Sequence, residues 1–337
     1  MNNDILIRSE GLTGYITLNR PAALNALTHQ MALSIEKALD QWRNDRKITQ
    51  IVIDGEGERA FCAGGDLAKM YETGLAGQFD YGHQFWRDEY RLNAKIYHYP
   101  KPYIAFMQGF TMGGGVGISC HGSHRIVGET SKIAMPECQI GLVPDVGGSL
   151  LLANAPGHCG EYLGTTGTRL NANDAIYCGF ADHFIPENDW QKIKQDLIKT
   201  PIDQIVKPYG HTQKNSNIAN LQTDIDACFS RADMPKIIAR LSKKNNDFVK
   251  PALSALHRAC PLSLACTIDI IRHVRAKPTI EQALEWENRF TSRACQFGDF
   301  VEGIRALIIE KDNAPKWTYK NFDNQLQKQT TKMLLPV

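Results

Sequence analysis

Two carboxylates, Glu137 and Asp145, stand eight positions apart in the run MPECQIGLVPDVGG (135–148), which is otherwise dominated by apolar residues, prolines and glycines. An acid in such surroundings is a candidate general base or nucleophile, and two neighbouring acids titrate apart, so that one stays partly protonated near neutrality. Upstream lie two glycine clusters, AFCAGGDL (60–67) and GFTMGGGVGIS (109–119). Each follows an expected strand and is expected to open a helix, which leaves backbone N–H groups unpaired at a positive dipole end. Amides of that kind hold anions, glycine lets a ligand approach the main chain, and two amides from different loops can meet on one oxygen that becomes negative during a reaction. The plainer uses of these residues are tight turns for the glycines and a turn position after Pro144 for Asp145. Neither GxxxxGK[ST] nor GxGxxG is present, so a nucleotide-phosphate cradle is not indicated.

The elements that must position these residues alternate. Residues 5–7 and 14–19 read as short strands joined by a glycine turn, and Thr28 is placed to cap a helix in which Met31, Ile35, Leu39 and Trp42 recur at helical spacing. ITQIVIDGEG and PYIAFMQG (102–109) read as buried strands that run into the glycine-bearing segments. Strand and helix in alternation favour an α/β arrangement with right-handed crossovers. From about residue 187 the pattern turns helical: IKQDLIKT, the stretch 210–222, for which a surface loop is the alternative, and the segments 234–256, 261–276 and 279–298 are read as mostly helix-like, with Thr279 and Gln282 in the form of a capping box. The division expected is 1–190 as a ββα core and 191–337 as a mainly helical region packing on it, the two forming either separate domains or one continuous domain.

Composition narrows the function. The chain has 337 residues, 43% of them hydrophobic and 22% charged, with a net charge of +2. Scattered Lys and Arg give no footprint for a nucleic-acid duplex, and no window of 18 uncharged apolar residues suggests a membrane span. The N-terminus lacks the look of a signal or transit peptide, which leads to an expected cytoplasmic location. Nine cysteines without CxxC or Cys/His spacing read as reduced thiols, with Cys62 a small buried hydrophobe. The histidines, His121 and His124 included, have no metal-ligand spacing and are assigned to packing or surface.

AFCAGGDL, TMGGGVG, and MPE followed by GLVPDVGG together resemble the enoyl-CoA hydratase/isomerase (crotonase) superfamily, which handles acyl-coenzyme A thioesters. The resemblance implies a crotonase-like spiral of ββα units with a helical C-terminal region. It implies an oxyanion hole from the amides of Gly65 and Gly114, and Ala63 and Asp66 as substrate neighbours. Family hydratases use two glutamates; one corresponds to Glu137, but the other falls on Gly117, which has no side chain to transfer a proton, so ordinary hydration is disfavoured.

FWRDEYRLN (85–93), TGTRLNANDAIYCGFADHFIP and DFVEGIRALIIEKDNAPKW narrow the resemblance to the 3-hydroxyisobutyryl-CoA hydrolases, from the first strands to about Trp317. This branch implies thioester hydrolysis in valine degradation and a substrate-contacting carboxylate at Glu89, whose plain reading is a solvated helix acid. Glu137 then acts as base on water or as direct nucleophile. Asp145 accepts a hydrogen bond from the substrate 3-hydroxyl, or orients Glu137 and water. No cofactor is implied, since coenzyme A is part of the substrate, and a homo-oligomer is a possible assembly. The rival readings are an enoyl-CoA isomerase working with a single glutamate and a catalytically silent acyl-CoA-binding protein.

Overall fold

In the computed structural model, residues 4–207, 209, 215–245 and 247–337 are described. ILIRSE and TGYITL form antiparallel strands β1 (Ile5–Glu10) and β2 (Thr13–Leu18), with Gly11 at φ 55° in the connection. β1 is the mostly exposed edge, whereas β2 is buried along its whole length because β3 (Gln50–Gly55) pairs with it in parallel on the other side. Between them runs the expected helix, His29–Arg43. Thr28 Oγ1 caps it by accepting from the Met31 amide at 3.1 Å, and Met31, Ile35, Leu39 and Trp42 are all buried. Gly14 makes room for that helix: a Cβ there would stand 2.6 Å from the Trp42 ring.

The remaining strands are β4 (Ala60–Cys62), β5 (Tyr103–Met107), β6 (Phe110–Met112), β7 (His124–Val127), β8 (Lys132–Ala134) and β9 (His183–Phe184). They build a six-stranded sheet in the order β1-β2-β3-β5-β7-β9 and a three-stranded sheet in the order β4-β6-β8. Every pair after β1–β2 is parallel. The chain therefore repeats one step: a strand in the large sheet (β3, β5, β7), then a strand in the small one (β4, β6, β8). Each small strand runs into one of the chemical segments, β4 into Ala63–Asp66, β6 into Gly113–Gly115 and β8 into Met135–Glu137. On the large sheet Val52, Ile104, Phe106 and Ile126 pack with Trp190, Ile193 and Leu197 from the segment of helix Glu187–Asp196. The Gln50 amide, 2% exposed, fastens this layer: its nitrogen donates to Leu197 O and Thr200 O, and its oxygen accepts from Ile202 N. A buried amide satisfied on both sides resists opening, because each unpaired group would face the full desolvation penalty.

By contact the chain forms two compact units that interleave in sequence. One comprises Met1–Gly65, Asp88–Ala134 and Arg169–Asn217, and the other Asp66–Arg87, Met135–Thr168 and Ile218–Val337. Both sheets belong to the first. The second is helical, with Pro261–Ala276 and Ile280–Phe297 as its longest members wholly inside it. Thr279 caps the latter by accepting from Gln282 N, but the Gln282 amide turns to Glu285, so only half of the expected capping box forms. The helix expected over 234–256 is two, Met234–Leu241 and Val249–Arg258. The polar run Ser242–Asn245 offers no apolar residue to continue the buried stripe. Of the stretch 210–222, residues 210–214 lie outside the described residues, and Asn217–Phe229 is helix.

Candidate active site

In the first unit the residues expected around an oxyanion gather. The loop after β4 is held by the segment before helix His29–Arg43: Ala63 N donates to Leu24 O at 3.0 Å, and Leu27 N to Gly64 O at 2.8 Å. Asn25 anchors that segment, its amide nitrogen donating to Glu56 O and Ala60 O and its oxygen accepting from Arg20 N. Leu24 and Asn25 both sit at positive φ, 52° and 55°, a strained conformation that persists only where such bonds over-determine it. Gly64, at φ 115°, turns the chain so that Gly65 bridges to Leu27. Gly65 precedes helix Ala68–Leu75 by three residues, so its amide lies outside the helix that was expected to present it.

Gly114 does open its helix, Gly114–Ser119, after Gly113 at φ 48°, a geometry reserved for glycine. Gly115 presses on β4: a Cβ there would lie 2.3 Å from Cys62 O. A Cβ on Gly114 would stand 3.4 Å from the Gly65 nitrogen and 2.8 Å from Glu89 Oε1, which puts both glycines and Glu89 around one small space. Among the described residues neither the Gly65 nor the Gly114 amide donates to a backbone carbonyl.

Glu89 is 4% exposed, which removes the reading of a solvated helix acid. Its helix, Asp80–Tyr97, is tied down beside it. Asp88 pairs with His29 at 2.7 Å and with Arg91, and Arg91 in turn clasps both oxygens of Glu36 on helix His29–Arg43. The two hydrogen bonds from Arg91 outweigh burial and hold the Glu36 carboxyl below its ordinary value. Cys62 is fully buried, and burial pushes its thiol up to about 12, so it is a packing residue. His121 is buried with its ring edge-on to Tyr97, and His124 pairs with Ser123 and Asp203.

In the second unit the two acids of the 135–148 run are both interior. Glu137 opens the short turn Glu137–Ile140 after Pro136 and is 5% exposed; Asp145 is 4% exposed. Burial, then the charge of Asp145, then that of Glu287, drive the Glu137 carboxyl well above its ordinary value. Among the described residues its Oε2 has no hydrogen-bond partner. The turn is wedged against the segment that opens Phe300–Ile304: a Cβ on Gly303 would lie 2.0 Å from Ile140 O, and one on Gly141 2.6 Å from Asp299 O. Asp66, the other expected substrate neighbour, belongs to this unit, with Oδ1 accepting from Ala68 N.

Glu287, in helix Ile280–Phe297, is a third acid that sequence reasoning passed over. It is wholly buried, accepts from the Gly147 and Ser149 amides and from Ser149 Oγ, and burial lifts its carboxyl to about 8. The signal was available: Ile280, Ala283, Leu284, Phe290, Thr291 and Ala294 mark a buried stripe, and Glu287 falls in the middle of it at helical spacing. Among the described residues no three His, Cys, Asp or Glu side chains gather as metal ligands would.

These acids give stability a defined pH dependence. A carboxyl whose pKa rises on folding contributes most when protonated in both states, below about 4.5, and that contribution is lost as pH climbs through the folded value. The melting temperature is expected to fall from pH 5 towards pH 8 by less in Glu137→Gln than in the unsubstituted chain, with the variant the more stable at pH 8. A parallel fall in both proteins, followed by thermal melts across that range, would contradict the burial argument.

The matches to known proteins cover nearly all of the chain. A family described as enoyl-CoA hydratase/isomerase matches residues 13–334. A zebrafish (Danio rerio) protein named 3-hydroxyisobutyryl-CoA hydrolase, mitochondrial, is 39% identical over 327 residues, covering 94% of this chain and 85% of that protein. Among solved structures, an enoyl-CoA hydratase from Rhodobacter sphaeroides 2.4.1 is 47% identical with a TM-score of 0.94, covering 99% of this chain and 98% of that one. A carnitinyl-CoA dehydratase from Mycobacterium thermoresistibile is 36% identical with a TM-score of 0.95, covering 100% and 97%. With its paired sheets, its glycine loops and this extent of similarity, the chain belongs to the enoyl-CoA hydratase/isomerase (crotonase) family.

Proposed function

We propose that the chain hydrolyses 3-hydroxyisobutyryl-CoA to 3-hydroxyisobutyrate and free coenzyme A, a step of valine degradation. The curated relatives carry the name of that hydrolase, while the two solved structures are named hydratase and dehydratase. What favours the hydrolase reading is that Glu137 is present and buried, whereas the position that the family resemblance assigns to the second acid of hydration is Gly117. Hydrolysis needs a single carboxylate beside stabilised oxyanion chemistry, so it survives that loss where hydration does not.

In this reading the Gly65 and Gly114 amides take the thioester oxygen as it becomes an anion. Glu137 as carboxylate either withdraws a proton from the attacking water or adds to the carbonyl itself, giving an anhydride that water then opens. The C–S bond breaks and coenzyme A leaves as thiolate. Ala63, Asp66 and Glu89 contact the substrate. Asp145 receives the 3-hydroxyl, or orients Glu137 and water. The hydroxyl role makes acyl chains lacking it poor substrates, because the buried carboxylate would lose its partner. Coenzyme A enters only as part of the substrate and no separate cofactor takes part. A cytoplasmic location and a homo-oligomeric assembly belong to the same proposal. Nine free thiols suit a reducing compartment, and no helix among the described residues is long and apolar enough to cross a membrane.

A thiol-release assay on 3-hydroxyisobutyryl-, 3-hydroxypropionyl-, isobutyryl- and crotonyl-CoA tests this directly. The two hydroxylated thioesters are expected to be cleaved at least about tenfold faster than isobutyryl-CoA. Loss of enoyl absorbance from crotonyl-CoA without thiol release would instead mark a hydratase, and binding without turnover of any of the four a silent binder.

A further inference from the structure

The acid that sequence reasoning missed, Glu287, clasps the turn that follows Asp145. Both oxygens of Glu287 are spent on the turn that follows Asp145: Oε2 accepts from Gly147 N at 2.8 Å, and Oε1 accepts from Ser149 N at 3.0 Å and from Ser149 Oγ at 2.5 Å. That turn is strained. Val146 stands at φ 55° and Gly147 at φ 77°, and a β-branched residue in the left-handed region is held there only when its surroundings dictate it. Glu287 and Ser149 are both interior, at 0% and 1% exposure, so the clasp is shielded from water. Asp145 is joined to Val146 by one peptide bond, and its own carbonyl accepts from Gly148 N at 2.7 Å, which makes the turn a short rigid lever.

We propose that Glu287 is a positioning residue that holds Asp145 at the substrate 3-hydroxyl and thereby sets the preference for hydroxylated acyl chains. The inference rests on the hydroxyl-binding role given to Asp145 above. Glu287 also faces Asp145 as a like charge, so the two acids influence each other electrostatically as well as through the turn.

The test is the ratio of kcat/KM for 3-hydroxyisobutyryl-CoA over isobutyryl-CoA. Glu287→Gln offers one acceptor oxygen and an NH2 that is itself a donor, so one of the two backbone amides loses its partner. The ratio is expected to fall at least about tenfold, with Glu287→Asp, which keeps two acceptor oxygens on a shorter arm, falling less. Glu285→Gln alters an exposed carboxylate on the same helix and is expected to leave the ratio unchanged. A purely structural role for Glu287 would slow both substrates alike and leave the ratio at its original value, which overturns the proposal. Should Glu287→Gln fail to fold, Ser149→Ala removes one of the three donors and leaves both backbone bonds; it is expected to lower the ratio a few-fold, and an unchanged ratio there is equally fatal. If the unsubstituted chain cleaves both thioesters equally well, the role given to Asp145 is wrong and the inference falls with it. Preference in the parent with none lost in the folded variants rejects the role of Glu287 alone.

Discussion

Glu137→Gln is expected to lose about 10³-fold in thiol release, within the range that a positioned acid–base group supplies. Glutamine has nearly the shape of glutamate, and Oε2 of Glu137 has no hydrogen-bond partner among the described residues to be lost. The fold and thioester binding should therefore persist, which separates chemistry from folding. The substitution also removes a carboxyl that burial and Asp145 make costly to ionise, and that cost has a kinetic counterpart. Only the carboxylate form serves as base or nucleophile, so the activity of the parent should rise with pH through a limb set well above the ordinary glutamate range. Single-turnover thiol release with calorimetric binding in parallel checks the result; near-normal turnover in the folded variant would remove Glu137 from the mechanism.

The second large effect is expected at Gly114. Alanine there puts a methyl 2.8 Å from Glu89 Oε1 and 3.4 Å from the Gly65 nitrogen, in the space where the thioester oxygen is proposed to sit. The loss in kcat/KM is expected to be about 10²–10³, comparable with removing an oxyanion donor. The clash is with the end of a side chain, so the stability loss stays near the lower end of the 1–3 kcal/mol typical of overpacking, about 1 kcal/mol. Gly115→Ala is the contrast: its methyl meets the backbone oxygen of Cys62 at 2.3 Å, and there the expected damage is to the fold. Melting curves beside kinetics distinguish the pair, and a fully active Gly114→Ala would mean that the acyl oxygen lies elsewhere.

Much of this was legible in the sequence because it is local. Thr28 and Thr279 cap the helices assigned to them, and the apolar stripe Met31, Ile35, Leu39, Trp42 is buried as its spacing required. The alternation of strand and helix before residue 187 translates into parallel sheets. Glu137 and Asp145 stood out because a charged residue among prolines, glycines and aliphatics is costly unless it is used. What stayed hidden is non-local. No pattern within 135–149 reveals that its acceptor is Glu287, some 140 residues along the chain. Interleaved units cannot be read from a boundary in composition, since each draws on three segments that are separated along the sequence. The side chain of Asn25, which the sequence does not single out, ties Arg20, Glu56 and Ala60 together by contacts that only the folded chain creates.

The cysteines carry a practical consequence. Eight of the nine are buried, and burial raises the thiols of Cys62, Cys120, Cys260 and the partly buried Cys295 to about 11 or 12. Near neutrality such groups hold almost no thiolate, the form that alkylating agents and peroxides attack. Cysteine-seeking warheads would therefore find little to react with at these four positions, and a lasting chemical handle is better built on an electrophile that esterifies an acid.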